Sequence, residues 1–302
     1  NMPHSLRPWS MVLPIKNEHQ LFEKTFPTAI ALKPSEIVLL FDEDKKLDEY
    51  TDKMKEMAER MCKDAGVNLK VILVPRNPEW KFHQAYVRRI GYLSASYDII
   101  LTTDVDIILR PIVLEGLKYI GAGNIILVSF QKDAQGRMFN ARCFLHKAIS
   151  KILKAHVKGF AGLYWLYRPY YLEVMDEIVL KGIVNGEDTL LVQLIDAQTK
   201  YRRMHYRRTG GTDLGTPNEE LPWRQFEHGV WLAKSQSSQT LNENIKGLRR
   251  LFVQGILYMR PHTVYGFIWA RMHKDRVPKG IGMDYSAVVY KAYFRDMRST
   301  RQ

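Results

Sequence analysis

The chain is short of the features that mark secreted, membrane-spanning and fibrous proteins. Its 302 residues include only two cysteines, Cys62 and Cys143, neither in a metal-ligand spacing. That argues against a disulfide scaffold and reads as two reduced, buried small hydrophobes. No apolar run approaches the roughly 18 residues that a membrane-crossing helix needs. The opening Asn1-Met2-Pro3-His4 has no charged segment followed by an apolar core, so a cytoplasmic location is expected. There is no internal repeat and no biased tract. Glycine is absent from Pro14 to Glu18, just after the first apolar run, where a sugar-phosphate nucleotidyltransferase would carry a phosphate-cradling loop.

What the chain has in excess is positive charge. A formal net charge of +13 favours polyanionic partners: nucleic acid, an anionic membrane surface or phosphorylated small molecules. The basic residues are spread along the chain with no nucleic-acid-binding motif to organise them, so a basic nucleic-acid-binding protein is a rival reading and specific nucleic-acid recognition is not expected. With 46% hydrophobic and 25% charged residues, the composition is that of an ordinary globular protein.

The first half alternates strand and helix patterns. Apolar runs at Met11–Leu13 (stopped by Pro14), Glu36–Phe41, Leu69–Val74, Tyr97–Thr103 and Asn124–Phe130 predict five strands. Between them, Leu47, Tyr50, Met54, Met57, Met61 and Ala65 recur at helical spacing up to a stop at Gly66, and Phe82, Tyr86, Ile90 and Leu93 share a second helical face. Pro111 suits a first helical position. Such alternation predicts an α/β fold with a mostly parallel central sheet flanked by helices, whose ligands bind beyond the carboxyl ends of the strands. Asn17, Asp42 and Asp104 all fall there.

The second half is less regular. A strand over Phe160–Tyr167, helices at Pro169–Leu180 and Glu187–Ala197, and a short basic strand at Tyr201–Arg207 are expected. Thr209 to Pro217 has loop chemistry throughout, and Leu241–Tyr258 looks helical. Residues 1–215 are expected to form the main domain, and 216–302 a helical C-terminal extension packed on it. The aromatic and basic stretch Leu251–Met272 either packs on the core or lies on a membrane surface.

Asp104-Val105-Asp106 follows the fourth strand directly. Two carboxylates at i and i+2 past an apolar lead-in can hold Mg²⁺ or Mn²⁺ against a diphosphate, because these hard cations take oxygen ligands. Arg207 and Arg208, in a basic cluster with Arg202 and Arg203, could clamp the departing diphosphate, with Gly210, Gly211 and Gly215 letting a loop close. A solvated basic face is the plainer reading of that cluster.

The order of these segments resembles that of family 2 glycosyltransferases, which have the GT-A fold. The resemblance runs from about residue 9 to 200. It rests on Pro14-Ile15-Lys16-Asn17-Glu18 after the first strand, Asp42 after the second, Arg88-Arg89-Ile90-Gly91 before the Asp-x-Asp, Gly159 to Arg168, and Asn185-Gly186-Glu187-Asp188 at a helix start. It implies an inverting, metal-dependent transfer of a sugar from a UDP-, GDP- or dTDP-linked donor to a glycan or lipid-linked acceptor, with peripheral membrane contact for a lipid-linked one.

The implied donor residues are Pro14, Asn17, Glu18, Asp42, Arg88, Arg89, Asp104, Asp106, Arg207 and Arg208. Gly162, Tyr164 and Trp165 would meet the acceptor, and Asp106, Asp104 and His228 would hold the metal. Asp188 or Glu187 would be the general base, Asp188 being preferred; the other reading of this acidic pair is a plain helix start. Three departures stand out. Asp42-Glu43-Asp44 replaces the usual Asp-Gly-Ser, Arg89 replaces an asparagine, and no Gln-x-x-Arg-Trp of a processive synthase follows.

Overall fold

A computed structural model describes residues 7–15, 19–42, 49–75, 83–121, 124–132, 163–180, 202–214 and 261–273, with Leu191, Phe226, Gly229, Val230, Ala233 and Leu251. Contacts group the chain into two compact units. One comprises Asn1–Asp133, Phe160–Gly182 and Gly186–Gly215, and the other Ala134–Gly159, Ile183–Asn185 and Thr216–Gln302.

The first unit holds one mixed sheet of strands β1 (Ser10–Ile15), β2 (Glu36–Asp42), β3 (Asn68–Val74), β4 (Ile99–Thr102), β5 (Ile107–Leu109), β6 (Asn124–Lys132), β7 (Tyr164–Tyr167) and β8 (Arg202–Asp213). Their spatial order is β3-β2-β1-β4-β7-β6-β8-β5. The β3-β2-β1-β4 half is parallel throughout, β7 runs antiparallel to both β4 and β6, β6 and β8 are parallel, and β5 closes antiparallel on β8. Helices α1 (His19–Ala31), α2 (Glu49–Ala65), α3 (Gln84–Ser94) and α4 (Arg168–Val179) and a 3₁₀ segment, Pro111–Lys118, accompany it.

The alternation of side chains along a strand explains how β1 and β2 are buried on both faces. Met11, Leu13 and Ile15 of β1 and Ile37, Leu39 and Phe41 of β2 join Phe22 and Phe26 of α1 and Met54, Ala58 and Cys62 of α2 in one cluster. The intervening Val12 and Leu40 meet α3 on the other face, at Gly91. The buried Cys62 thiol is pushed up to about 11 by burial, as a small hydrophobe would be. Gly66 ends α2 at φ +68°, where its N–H and that of Val67 reach back to Lys63 and Cys62 carbonyls.

Two expectations are corrected. β1 does not stop at Pro14; it continues to Ile15 alongside β2. Pro14 lies beyond Val12, the last β1 residue paired with β4, so the ladder on that side has ended where the missing N–H would matter. The glycine-rich stretch after Arg208 is likewise strand as far as Asp213, not loop. A Cβ on Gly210 would stand 2.3 Å from Val128 Cγ1, and one on Gly211 would stand 2.7 Å from Ile107 Cγ2. These glycines are needed for close packing in the sheet rather than for loop closure.

The amino-terminal edge of the parallel half is tied by Glu36. Its carboxylate accepts hydrogen bonds from Ser10 Oγ (2.8 Å), the Ser96 amide (2.8 Å) and Ser96 Oγ (2.9 Å), and pairs with Lys70 Nζ at 2.8 Å. Burial raises its pKa, but the Lys70 ammonium and the Ser96 and Ser10 donors outweigh that and hold it below the usual carboxylate value. The loop between α3 and β4 is thereby fixed to β1, β2 and β3.

Of the second unit, helix α5 (Pro261–Met272) is described. It approaches the backbone at Phe226 and at Gly229 closely: a Cβ on Gly229 would lie 1.9 Å from the Thr263 carbonyl oxygen, and one on Gly266 would lie 2.1 Å from that of Phe226. No helix among the described residues is long and apolar enough to cross a membrane.

Candidate active site

Because β1, β2 and β4 are parallel, their carboxyl ends share one edge of the sheet. Asp42 is the last residue of β2, and Asp104 lies two residues past the end of β4. The chain then turns, with the Ile107 amide donating to the Asp104 carbonyl at 3.2 Å. Val105 points into the core while Asp104 and Asp106 on either side of it stay half-buried. An apolar residue between two carboxylates thus anchors the turn and leaves both acids at the surface. The Leu214 amide, just past β8, donates to the Asp106 carbonyl at 2.9 Å and fixes the turn from the far side.

Helix α3 reaches this edge because Gly91 lets it sit directly on the sheet. A Cβ there would stand 2.5 Å from Leu40 Cδ1 and 2.6 Å from Val12 Cγ1. One turn earlier on the same face, Arg88 is buried and its guanidinium forms an ion pair with Asp104 Oδ1. At the amino-terminal cap of α3, the buried His83 places Nε2 3.6 Å from Asp42 Oδ1. That separation is beyond hydrogen-bond reach, and Asp42 Oδ1 has no hydrogen-bond partner although its side chain is only 7% exposed. One short helical stretch therefore faces both strand-end carboxylates, His83 toward Asp42 and Arg88 toward Asp104.

Other expected site residues lie elsewhere. Arg89 Nε donates to Asp176 Oδ1 at 2.5 Å, tying α3 to α4. Neighbours on a helix point about 100° apart, so Arg88 and Arg89 necessarily serve different partners. Pro14 sits in β1, and the backbone of Arg207 and Arg208 runs in β8. Tyr164 and Trp165 are fully buried. Tyr164 Oη is 2.9 Å from Tyr92 Oη, and the Trp165 indole donates to the Val113 carbonyl at 2.9 Å and packs edge-on against Trp9. Both side chains are spent on the core, so acceptor contact would fall to other atoms of this region. Asn17, Glu18, Gly162, Glu187, Asp188 and His228 lie outside the described residues.

Among the described residues no group of three or more His, Cys, Asp or Glu side chains could hold a metal ion. Asp104 and Asp106 nevertheless fit a divalent cation of the Mg²⁺ or Mn²⁺ kind. Such ions are commonly held by one or two carboxylates, with the remaining positions taken by water and substrate phosphate.

No protein-family model matches the chain, and no curated protein matches it by sequence. Solved structures do. The chain is similar to mannosyltransferase PcManGT from Pyrobaculum calidifontis in complex with GDP-Man and Mn2+, at 15% identity and a TM-score of 0.55, over 89% of this chain and 77% of that one. It is also similar to S. aureus TarS residues 1–349, at 12% identity and a TM-score of 0.46, over 89% of this chain and 92% of that one. A second S. aureus TarS structure matches at 14% identity and a TM-score of 0.45, over 84% of this chain and 43% of that one. The α/β sheet with its flanking helices is the GT-A fold.

Proposed function

On this fold, we propose that the chain transfers a sugar from a nucleoside-diphosphate sugar to an acceptor with inversion at the anomeric carbon. The observation that carries the reading is the convergence of Asp42, Asp104 and Asp106 on one sheet edge, with Arg88 of α3 paired to Asp104 and His83 lying 3.6 Å from Asp42. In this reading Asp42, with its unpartnered buried oxygen, receives a donor group of the nucleoside. Asp104, oriented by Arg88, accepts from the ribose, and Asp106 holds a divalent cation. That cation supplies charge neutralisation for the diphosphate. PcManGT was solved with GDP-Man and Mn2+, which makes GDP and manganese the first probes to try.

Asp188 serves as general base, with Glu187 beside it in the sequence. The carboxylate takes the acceptor hydroxyl proton as that oxygen bonds to the anomeric carbon, and the bond to the diphosphate breaks with its electron pair leaving on phosphate. Arg207 and Arg208 would meet that charge. Arg89, tied to Asp176, is left with a structural part.

The test is a pair of variants assayed for donor binding and for transfer to a hydroxyl acceptor. Asp188→Asn should bind a nucleoside diphosphate with unchanged affinity and lose transfer by about a hundredfold or more. Full-rate transfer in that variant, with transfer lost in Glu187→Gln instead, would exchange the two roles. No nucleotide binding by the unaltered chain would sink the proposal as a whole.

A further inference from the structure

Helix α5 is apolar on both sides, which an isolated surface helix is not. Thr263, Gly266, Phe267 and Ala270 form its buried face, and Phe226 packs against Tyr265 and Trp269. The opposite face carries Tyr265, Ile268 and Met272, which are 60%, 49% and 73% exposed. Spaced three and four residues apart, they form one stripe along the helix. Arg271 lies on one flank of that stripe and Trp269 on the other, with Trp269 stacked on His273.

Charge indicates what covers the stripe. From Arg260 to Lys279 the sequence has Arg260, Arg271, Lys274, Arg276 and Lys279 against the single acid Asp275, in a chain of net charge +13. Two copies of so basic a segment repel each other. A phosphate backbone of nucleic acid would gain nothing from Ile268 and Met272 at the centre. An anionic lipid surface satisfies both features, taking the apolar stripe into the headgroup boundary and attracting the basic flanks. Twelve residues make a helix of about 18 Å, too short to span a bilayer but able to lie along one.

We propose that α5 is a membrane-surface docking element that seats Tyr265, Ile268 and Met272 in the interface of an anionic bilayer. The proposal stands on the helix alone and does not depend on the catalytic reading.

Co-sedimentation of the full chain with vesicles of phosphatidylcholine, with and without phosphatidylserine, tests it. Binding should require phosphatidylserine and weaken as salt is raised. Ile268→Glu and Met272→Glu should each reduce it by about tenfold or more, since each places a charge in the stripe that the bilayer would cover. Leu73→Glu adds the same charge at another exposed apolar residue, on β3, and should leave binding as it was. Melting curves establish that the variants are folded, and Met272→Glu, at the most exposed position, keeps the test open if Ile268→Glu does not fold. Equal binding to neutral vesicles, no binding at all, or an equal loss in Leu73→Glu would overturn the proposal. So would a dimer, seen by light scattering, that Ile268→Glu dissociates.

Discussion

The Arg88 guanidinium, buried in α3, and the Asp104 carboxylate, one-third exposed beyond β4, form an ion pair that joins a helix to the turn of the candidate donor site. The two sit 16 residues apart in sequence. The helix can present Arg88 there only because Gly91, one turn on, removes the side chain that would hold it off the sheet.

Removing the arginine leaves a carboxylate without its partner in a half-buried place. Arg88→Met should cost about 1–3 kcal/mol, less than a fully buried pair because water reaches Asp104. It should also weaken nucleoside-diphosphate binding through loss of Asp104 orientation. Urea unfolding and a nucleotide titration on the same variant measure both effects. Asp104→Asn, which takes the countercharge from the more deeply buried Arg88, should cost at least as much.

Gly91→Ala should cost about 1–3 kcal/mol by overpacking, since Leu40 can turn its Cδ1 aside but the β-branched Val12 is stiff. Combined with Val12→Ala, the two substitutions should be less damaging than the sum of their separate effects. Strict additivity in the double-mutant cycle would mean that α3 does not rest on Val12.

Glu36 sets an acid limit on stability. Its folded pKa lies below the ordinary 4.5, so its contribution is fully present above that value and is lost as pH falls through the depressed folded one. Glu36→Gln should lower stability near neutral pH and flatten the acid limb of a stability–pH curve. An unchanged limb would show that the Lys70 and Ser96 contacts contribute nothing to acid resistance.

The parts of this site legible in the sequence are those where an apolar run ends in a carboxylate. Asp42 and Asp104 fall at strand ends because a buried strand must be apolar until it emerges, and parallel pairing then brings those ends together. Proline and glycine were less reliable guides. Pro14 and the Gly210-Gly211 pair read as breaks, yet Pro14 lies in β1 beyond the end of its β4 pairing and the glycines admit β8 between Val128 and Ile107. Tyr164 and Trp165 have the composition of a sugar-stacking surface and equally that of a core, and only tertiary placement separates the two. Nothing in the sequence marked His83, a single histidine ahead of a helical pattern, or Glu36, an acid opening an apolar run. Their roles arise from partners 41 and 60 residues away, Asp42 and Ser96.

In the proposed function Asp106 holds a divalent cation against a bound diphosphate. The most direct measurement is the melting temperature of the chain and of Asp106→Asn with GDP, UDP or dTDP, each with and without Mn²⁺. A ligand that binds only the folded state at about a hundred times its Kd stabilises it by about 2.7 kcal/mol, a shift well within reach of the method. The unaltered chain should show a nucleotide shift that Mn²⁺ enlarges, and Asp106→Asn should lose the manganese-dependent part. A manganese-dependent shift of the same size in both proteins would contradict the assignment.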